Sequence, residues 1–493
     1  MPRRPRVLLV TPPYHSGVVE AAGVWMPLHL VYLAGHARAA GADVRIYDAM
    51  SLFHKHADIE KTIADFKPDL LGVTAITAME PDAREVCATA KRLDPKTVTV
   101  MGNVHPTFMW KELLTEDSNV DLVVRGEGEA TIEELVKALI AGTGFDGIKG
   151  VSYRKLGVPF ANPPRHFQPD LDALIPAWDL LDWPKYFYRP TPVGQLAIVN
   201  SSRGCQQACS FCSQQKFWER SWRGRKAEKF VEELELLRDR YNVRVAMLSD
   251  ETPTVDAERW ERILDLMIER KTGVELLMET RVADILRDEA ILPKYRKAGV
   301  SHIYVGVEAT NQETLDLYNK DLKVADSKRA IDLINANDMV SETSFVIGTP
   351  DETPESIKRT LELARWYGPD MAFFLAITPW PYADIAKELD PHVTTRNYRK
   401  YNLVEPIVKP KAMEIDELRK AMHRCAGEFF HDKFKRLDEM TPQKKAFMVE
   451  VLKVLVEHSY LSHDMHKMAS GGEMPAAVKA MLATLGRSHH ARR

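Results

Sequence analysis

A chain of 493 residues with a formal net charge of −3 carries no field that would gather nucleic acid or anionic lipid, and its 45% hydrophobic and 28% charged residues are ordinary globular values. That length exceeds the about 250–300 residues at which one hydrophobic core stops growing, so two to four domains are expected. Only Val7 to Val10 follow the basic start before Thr11-Pro12-Pro13, too short a run for a signal-peptide core, and the longest apolar stretch, Met371 to Ile377, is far too short to span a membrane; the expected location is the cytoplasm, with no transmembrane segment.

From residue 6 to about 142, β-rich runs alternate with helical ones. Strands are predicted over 6–11, 43–48, 69–75, 97–101 and 121–125, and helices over 27–40, 57–66, 80–94, 107–115 and 130–141. This is the pattern of a doubly wound parallel sheet, a Rossmann-like domain assigned to residues 1–145. Ligands of such sheets bind beyond the carboxyl ends of the strands. Three loops there are unusual for plain turns: Tyr14-His15-Ser16-Gly17, Gly102-Asn103-Val104-His105-Pro106-Thr107 and Arg125-Gly126-Glu127-Gly128-Glu129. Glycines let backbone approach a flat ligand closely, although Gly102 and Gly128 as turn residues and His105 as a loop histidine stay open. No G-x-G-x-x-G favours a dinucleotide.

Residues 146–195 change character, with eight prolines between Pro159 and Pro192 and the aromatics Trp178, Trp183, Tyr186, Phe187 and Tyr188; they read as a linker that wraps something. A second strand–helix series fills residues 196–400, with strands near 196–200, 243–248, 274–279, 301–307, 342–348 and 371–377, enough for a six-stranded partial barrel. Residues 401–493 are helical and charged, ending in a polar tail. Cys425 continues the apolar stripe Ile415, Leu418, Met422, Cys425, Phe429, and Cys87 lies in an Ala-rich helical stretch, so both read as core. His458, His463 and His466 read as a solvated helix end.

The remaining three of five cysteines, Cys205, Cys209 and Cys212, lie on one loop between a strand and a helical region, spaced C-x3-C-x2-C. So few and so clustered, they suit a reducing compartment and a metal centre rather than a disulfide framework. Structural zinc takes four ligands in paired spacings, and no fourth cysteine or nearby histidine accompanies these. Three thiolates on a [4Fe–4S] cluster leave one iron open to chelate an amino and a carboxylate group.

The triplet, with the aromatic Phe211 before its last cysteine, resembles the signature of the radical S-adenosylmethionine (SAM) superfamily. That resemblance implies SAM as cosubstrate, with Phe211 beside its adenine, Asp250 and Glu251 of Ser249-Asp250-Glu251-Thr252 receiving its ammonium, Arg281 of Glu279-Thr280-Arg281 pairing with its carboxylate, and Glu308 of Val305-Gly306-Val307-Glu308 facing its ribose. The first domain is similar to the cobalamin-binding domain that precedes many such barrels, implying cobalamin contacts from Tyr14, His15, Ser16, Gly102, Asn103, His105, Glu127 and Gly128. D-x-H-x-x-G is absent, so no histidine axial ligand is expected; the cobalamin base is displaced and its lower face covered by the loop at 102–107.

Pro13-Tyr14-His15-Ser16-Gly17, the stretch from Glu20 to Trp25, that from Cys212 to Trp218, and Thr378-Pro379-Trp380-Pro381-Tyr382-Ala383-Asp384 together resemble the anaerobic magnesium-protoporphyrin IX monomethyl ester cyclase family over about residues 6 to 400. This resemblance implies an oxygen-independent oxidation in which a 5′-deoxyadenosyl radical takes hydrogen from the ring propionate ester, water supplies oxygen, and an isocyclic ring closes. It also implies a porphyrin partner, held against Trp25, Trp218, Trp380 and Tyr382, and a reducing donor such as flavodoxin or ferredoxin; plain core packing of these aromatics stays open. Two other readings remain: a cobalamin-dependent radical SAM C-methyltransferase acting on a tetrapyrrole, lipid or other unactivated carbon, and a cobalamin-binding sensor or carrier. The intact cysteine triplet with Arg281 and Glu308 argues against the last.

Overall fold

Strand and helix alternate in the computed structural model much as the sequence predicts; it describes residues 3–15, 22–309, 312–320 and 322–458. A seven-stranded sheet comes first, in the order Asp43–Asp48, Arg6–Thr11, Leu70–Thr74, Val98–Gly102, Leu122–Val124, Val151–Lys155, Val158–Ala161. Its first five strands run parallel. Side chains alternate between two covered faces: Val7, Leu9, Leu70 and Val100 pack into one core, and Leu8, Val10, Leu71 and Met101 into the other. The last two strands form an antiparallel hairpin on the edge. It falls in the stretch expected to be linker, so the first sheet extends to Ala161; Val151-Ser-Tyr-Arg-Lys155 gave no strong period and only the fold reveals it as strand.

The second sheet has six parallel strands in sequence order, Gln195–Val199, Val243–Leu248, Glu275–Thr280, Val300–Val305, Val340–Ile347 and Met371–Ala376, which is the partial barrel expected. Leu276 and Met278 face the surrounding helices, while Leu196, Val245 and Leu277 face the barrel interior. The Pro/aromatic segment wraps both domains: Trp178, Trp183 and Tyr186 join the large core, and Phe187–Tyr188 pairs antiparallel with Gly23–Val24, placing Tyr188 among the interior residues. The helix Ile415–Lys435 lies on the last barrel strand through Phe429 and Phe430, with Cys425 buried, as Cys87 is in Glu80–Leu93. The helix Pro442–Glu457 sets Phe447 against Tyr188 and His302. Among the described residues no helix is long and apolar enough to cross a membrane. Ser16, Gly17, His463 and His466 lie outside the described residues.

Candidate active site

The cysteine loop is held at its base by a short antiparallel ribbon, Ser202–Gly204 against Trp222–Gly224. Gly204 sits there at φ +107°, and a Cβ on it would fall 2.1 Å from Ser221 O, so only glycine fits. Asp250, 1% exposed, accepts hydrogen bonds from Ser201 N (2.8 Å), Ser201 Oγ (2.7 Å) and Ser202 Oγ (2.6 Å). Glu251 accepts from Gly204 N at 3.0 Å and from Trp218 Nε1 at 2.6 Å. Both carboxylates, expected to meet an ammonium, thus also brace the loop while lining its cavity.

Cys205, Cys209 and Cys212 open onto a cavity of about 350 Å³ at the carboxyl ends of the barrel strands. Burial raises the Cys209 thiol and pushes Cys212 up to about 12, with the neighbouring cysteines adding to both, so these two thiols give up their protons when a bound cation displaces them. Phe211, Asp250, Glu251, Arg281 and Glu308 line the same cavity. The Arg281 side chain makes no hydrogen bond or ion pair with any described residue, leaving its guanidinium available to an anionic group. Glu308, at φ 65°, pairs with Lys320 Nζ at 2.8 Å. A Cβ on Gly306 would fall 2.5 Å from Glu308 Oε1 and 2.7 Å from Lys320 Nζ, so this glycine makes room for the pair. Three thiols, one free guanidinium and a fixed carboxylate in one chamber fit an iron–sulfur cluster with a chelated amino-acid cosubstrate.

A second cavity, of about 510 Å³, lies between the two domains. Gly102, Asn103, Gly126, Glu127 and Gly128 line it from the strand ends of the first sheet, and Asn200, Ser202, Arg203, Phe217 and Trp218 from the barrel. It continues inward as an apolar slot past Leu9, Leu33, Val100, Ile132 and Leu135. Side chains on Gly72 or Gly128 would press to within 2.9 Å of Leu9 and Leu33. A cavity of this size, edged by glycine backbone and walled by aliphatic side chains, fits a large, partly apolar ligand. Gln214, Ser249 and Glu251 line both cavities, so the two chambers adjoin.

Several expected contacts stand elsewhere. Tyr14 and His15 do not line the cavity; His15 is exposed and stacks on Phe53 with ring centroids 4.7 Å apart. His105 is 1% exposed, its Nδ1 is 3.2 Å from Thr77 Oγ1, and its ring meets Tyr382 and Tyr398 edge-on. Glu127 borders the cavity, but Arg203 (2.8 Å) and Arg223 (3.0 Å) take its carboxylate, while Glu129 also bonds Arg203 at 2.8 Å. These ion pairs clamp the first domain to the cysteine loop. Trp25 and Trp218 face the interdomain cavity. Trp380 packs against a small core of the barrel domain, and Tyr382 stacks on Phe108 and bonds Thr77 Oγ1 at 2.8 Å, so Tyr382 joins the two domains.

Sequence reasoning missed four cavity residues. Lys320 carries no signal, being fixed only by its meeting with Glu308. His29, at the start of the helix Leu28–Ala39, is exposed to the interdomain cavity, which it lines. Arg203 stands two residues before Cys205 but finds its partners only through the fold. Glu279 precedes Arg281 at a strand end and was readable there.

The B12 binding domain model matches residues 14–136, and the Radical SAM superfamily model matches residues 199–364. The chain is 40% identical over 436 residues to the anaerobic magnesium-protoporphyrin IX monomethyl ester cyclase of Rubrivivax gelatinosus, spanning 87% of this chain and 78% of that one. It is 37% identical to the protein of that name from Cereibacter sphaeroides, spanning 84% of this chain and 68% of that one. The cobalamin-dependent SAM radical enzyme OxsB, solved with aqua-cobalamin and SAM bound, has a like fold at TM-score 0.68 and 16% identity, over 98% of this chain and 78% of its own.

Proposed function

The chain belongs to the family of the anaerobic magnesium-protoporphyrin IX monomethyl ester cyclases, radical SAM enzymes with a B12-binding domain, and from that premise we propose that it closes the isocyclic ring of (bacterio)chlorophyll on that porphyrin ester without oxygen. The observation that carries this reading is the meeting of a thiol-lined chamber with a larger interdomain chamber at Gln214, Ser249 and Glu251. When bound, the cluster, SAM and cobalamin supply a carbon-centred radical and an electron acceptor.

The protein's own part is holding and orienting. Cys205, Cys209 and Cys212 hold the cluster and leave one iron open. Arg281 receives the SAM carboxylate through charge-assisted hydrogen bonds, Glu308, fixed by Lys320, faces the ribose, and Phe211 borders the adenine. Asp250 and Glu251 act through the cluster loop, whose backbone they anchor. Gly102, Asn103 and Gly128 bring bare backbone to the corrin, and Trp25 and Trp218 offer the porphyrin flat apolar surface. The clamp of Arg203 and Arg223 on Glu127 and Glu129 keeps the two chambers joined and closes that side to water. Electrons enter from a small donor such as flavodoxin or ferredoxin, and five unpaired cysteines support a cytoplasmic setting.

The test is anaerobic turnover of the reconstituted protein with cobalamin, reductant, SAM and magnesium-protoporphyrin IX monomethyl ester, followed by mass spectrometry. A protochlorophyllide-type product with 5′-deoxyadenosine is expected. Gain of one methyl group with S-adenosylhomocysteine would make the protein a methyltransferase instead.

A further inference from the structure

Beneath the thiol-lined cavity, one row of interior side chains crosses three barrel strands: Glu279 stands in register with Tyr304, and Tyr304 with Glu342. Glu279 and Tyr304 line the cavity. Glu342 Oε2 lies 2.7 Å from His302 Nε2, within ion-pair distance though not aligned as a hydrogen bond. His302 is two residues back along its strand, hence one layer further in. Its Nδ1 is 3.3 Å from the Tyr188 hydroxyl. Glu275, at the foot of the third strand, acts on Tyr188 through its charge and is partly exposed, marking where this interior reaches water. Ionisable groups therefore run from the reaction chamber to the far end of the barrel.

Four of the five carboxyl groups around the upper end have partners: Asp250 accepts from Ser201 and Ser202, Glu251 accepts from Trp218 and Gly204, Glu308 pairs with Lys320, and Glu342 sits against His302. Glu279 has none among the described residues. Arg281 and Lys320 are the cations lining the same cavity, and Lys320 is already paired. Burial, with the charges of Glu342, Glu251 and Glu308, raises the Glu279 carboxyl to about 7, so it exchanges protons near neutrality.

We propose that Glu279 is the proton acceptor of the reaction chamber and that Glu342 and His302 carry its proton down the barrel interior toward Tyr188 and Glu275. A proton leaves the bound substrate for a Glu279 carboxylate oxygen, giving the neutral acid. It passes to Glu342 and then to His302 Nε2, and the imidazolium releases the proton on Nδ1 to the Tyr188 oxygen as that phenol passes its own proton on to Glu275. Only protons move in the column; substrate electrons leave separately through the acceptor cofactor. A chamber that oxidises its substrate must pass on protons as well as electrons. The identity of the proton donor, though not of the acceptor, rests on the cyclase reading.

The test compares reconstituted wild type, E279Q, E279D and H302Q in two measurements. In the infrared, wild type is expected to show the carbonyl band of a protonated buried carboxyl that fades as pH rises through about 7, and E279Q to lack it. In turnover of the porphyrin ester, E279Q is expected to keep the cluster spectrum and SAM cleavage while product per SAM cleaved falls about a hundredfold, with the inflection near neutrality lost. E279D is expected to restore part of the yield, and H302Q to shift the inflection. A titrating band that survives in E279Q, or an unchanged yield and pH profile, would overturn the proposal. So would weakened SAM binding in E279Q that E279D fails to restore, which would make Glu279 a SAM contact. If wild type cleaves SAM and leaves the porphyrin unchanged while the band behaves as expected, the substrate is discarded and the proton acceptor stands.

Discussion

Replacing Gly204 by alanine strikes the cysteine loop without touching a thiol. The new Cβ would lie 2.1 Å from Ser221 O and 3.0 Å from Ser221 C, so the facing strand must retreat by about 1.5 Å to reach ordinary contact. Alanine at φ +107° adds about 1–3 kcal/mol of backbone strain. Opening the three-pair ribbon loses backbone hydrogen bonds of about 1 kcal/mol each. The closed loop is therefore disfavoured by about 3–5 kcal/mol, which lowers its population relative to the open form roughly 10²–10³-fold or more. The penalty is local, because Gly204 lies in a ribbon separate from both large sheets. The assay is iron and sulfide content with visible absorbance after anaerobic reconstitution, beside far-ultraviolet circular dichroism. G204A is expected to lose most of its cluster while its secondary structure stays as in wild type. Full iron content in G204A would refute the loop geometry on which the site depends.

Arg203→Leu leaves Glu129 without its arginine in a site where side chains are only 10–12% exposed, while Glu127 keeps Arg223; it should cost about 3 kcal/mol, and adding Glu129→Leu should recover part of that, read as cobalamin retained on gel filtration and as thermal stability. Arg281→Ala removes charge-assisted bonds of about 1.5–3 kcal/mol, so SAM affinity by equilibrium binding should fall about tenfold to a hundredfold with the cluster spectrum intact. Burial lowers His105 to about 3, below its unfolded value of 6.5, so the folded state favours the neutral ring. The stability it contributes is present above pH 6.5 and is lost as pH falls from there toward about 3; thermal unfolding of wild type should weaken over that window and His105→Gln should flatten the dependence.

Both domains were readable because a parallel strand buried on two faces, such as Val7-Leu-Leu-Val10, writes a continuous apolar run, and because the cysteine spacing states its chemistry directly. The edge hairpin at Val151–Ala161 was hidden for the opposite reason: one face is exposed, Val158 and Phe160 point outward, and proline interrupts it. At the site, residue type and strand-end position found Arg281 and Glu308, but a sequence does not say which carboxylates the protein uses on itself. Asp250, Glu251 and Glu127 look like ligand groups, and the fold shows them bonded to Ser201, Gly204 and Arg203 as well as lining the cavities. His105 and Tyr382 likewise face each other across the domain contact and away from the cavity. Glu279 gains its character from burial and from three other glutamates that the fold brings near, Glu342 through strand register and Glu251 and Glu308 from strand-end loops, which local sequence does not encode.

The most direct test of the central claim is transfer of hydrogen from the porphyrin to SAM. Magnesium-protoporphyrin IX monomethyl ester deuterated on the propionate ester side chain is turned over anaerobically by the reconstituted protein, and the 5′-deoxyadenosine is weighed by mass spectrometry. The expected result is deuterium in 5′-deoxyadenosine together with a ring-closed product. Unlabelled 5′-deoxyadenosine formed while the porphyrin is recovered unchanged would contradict it.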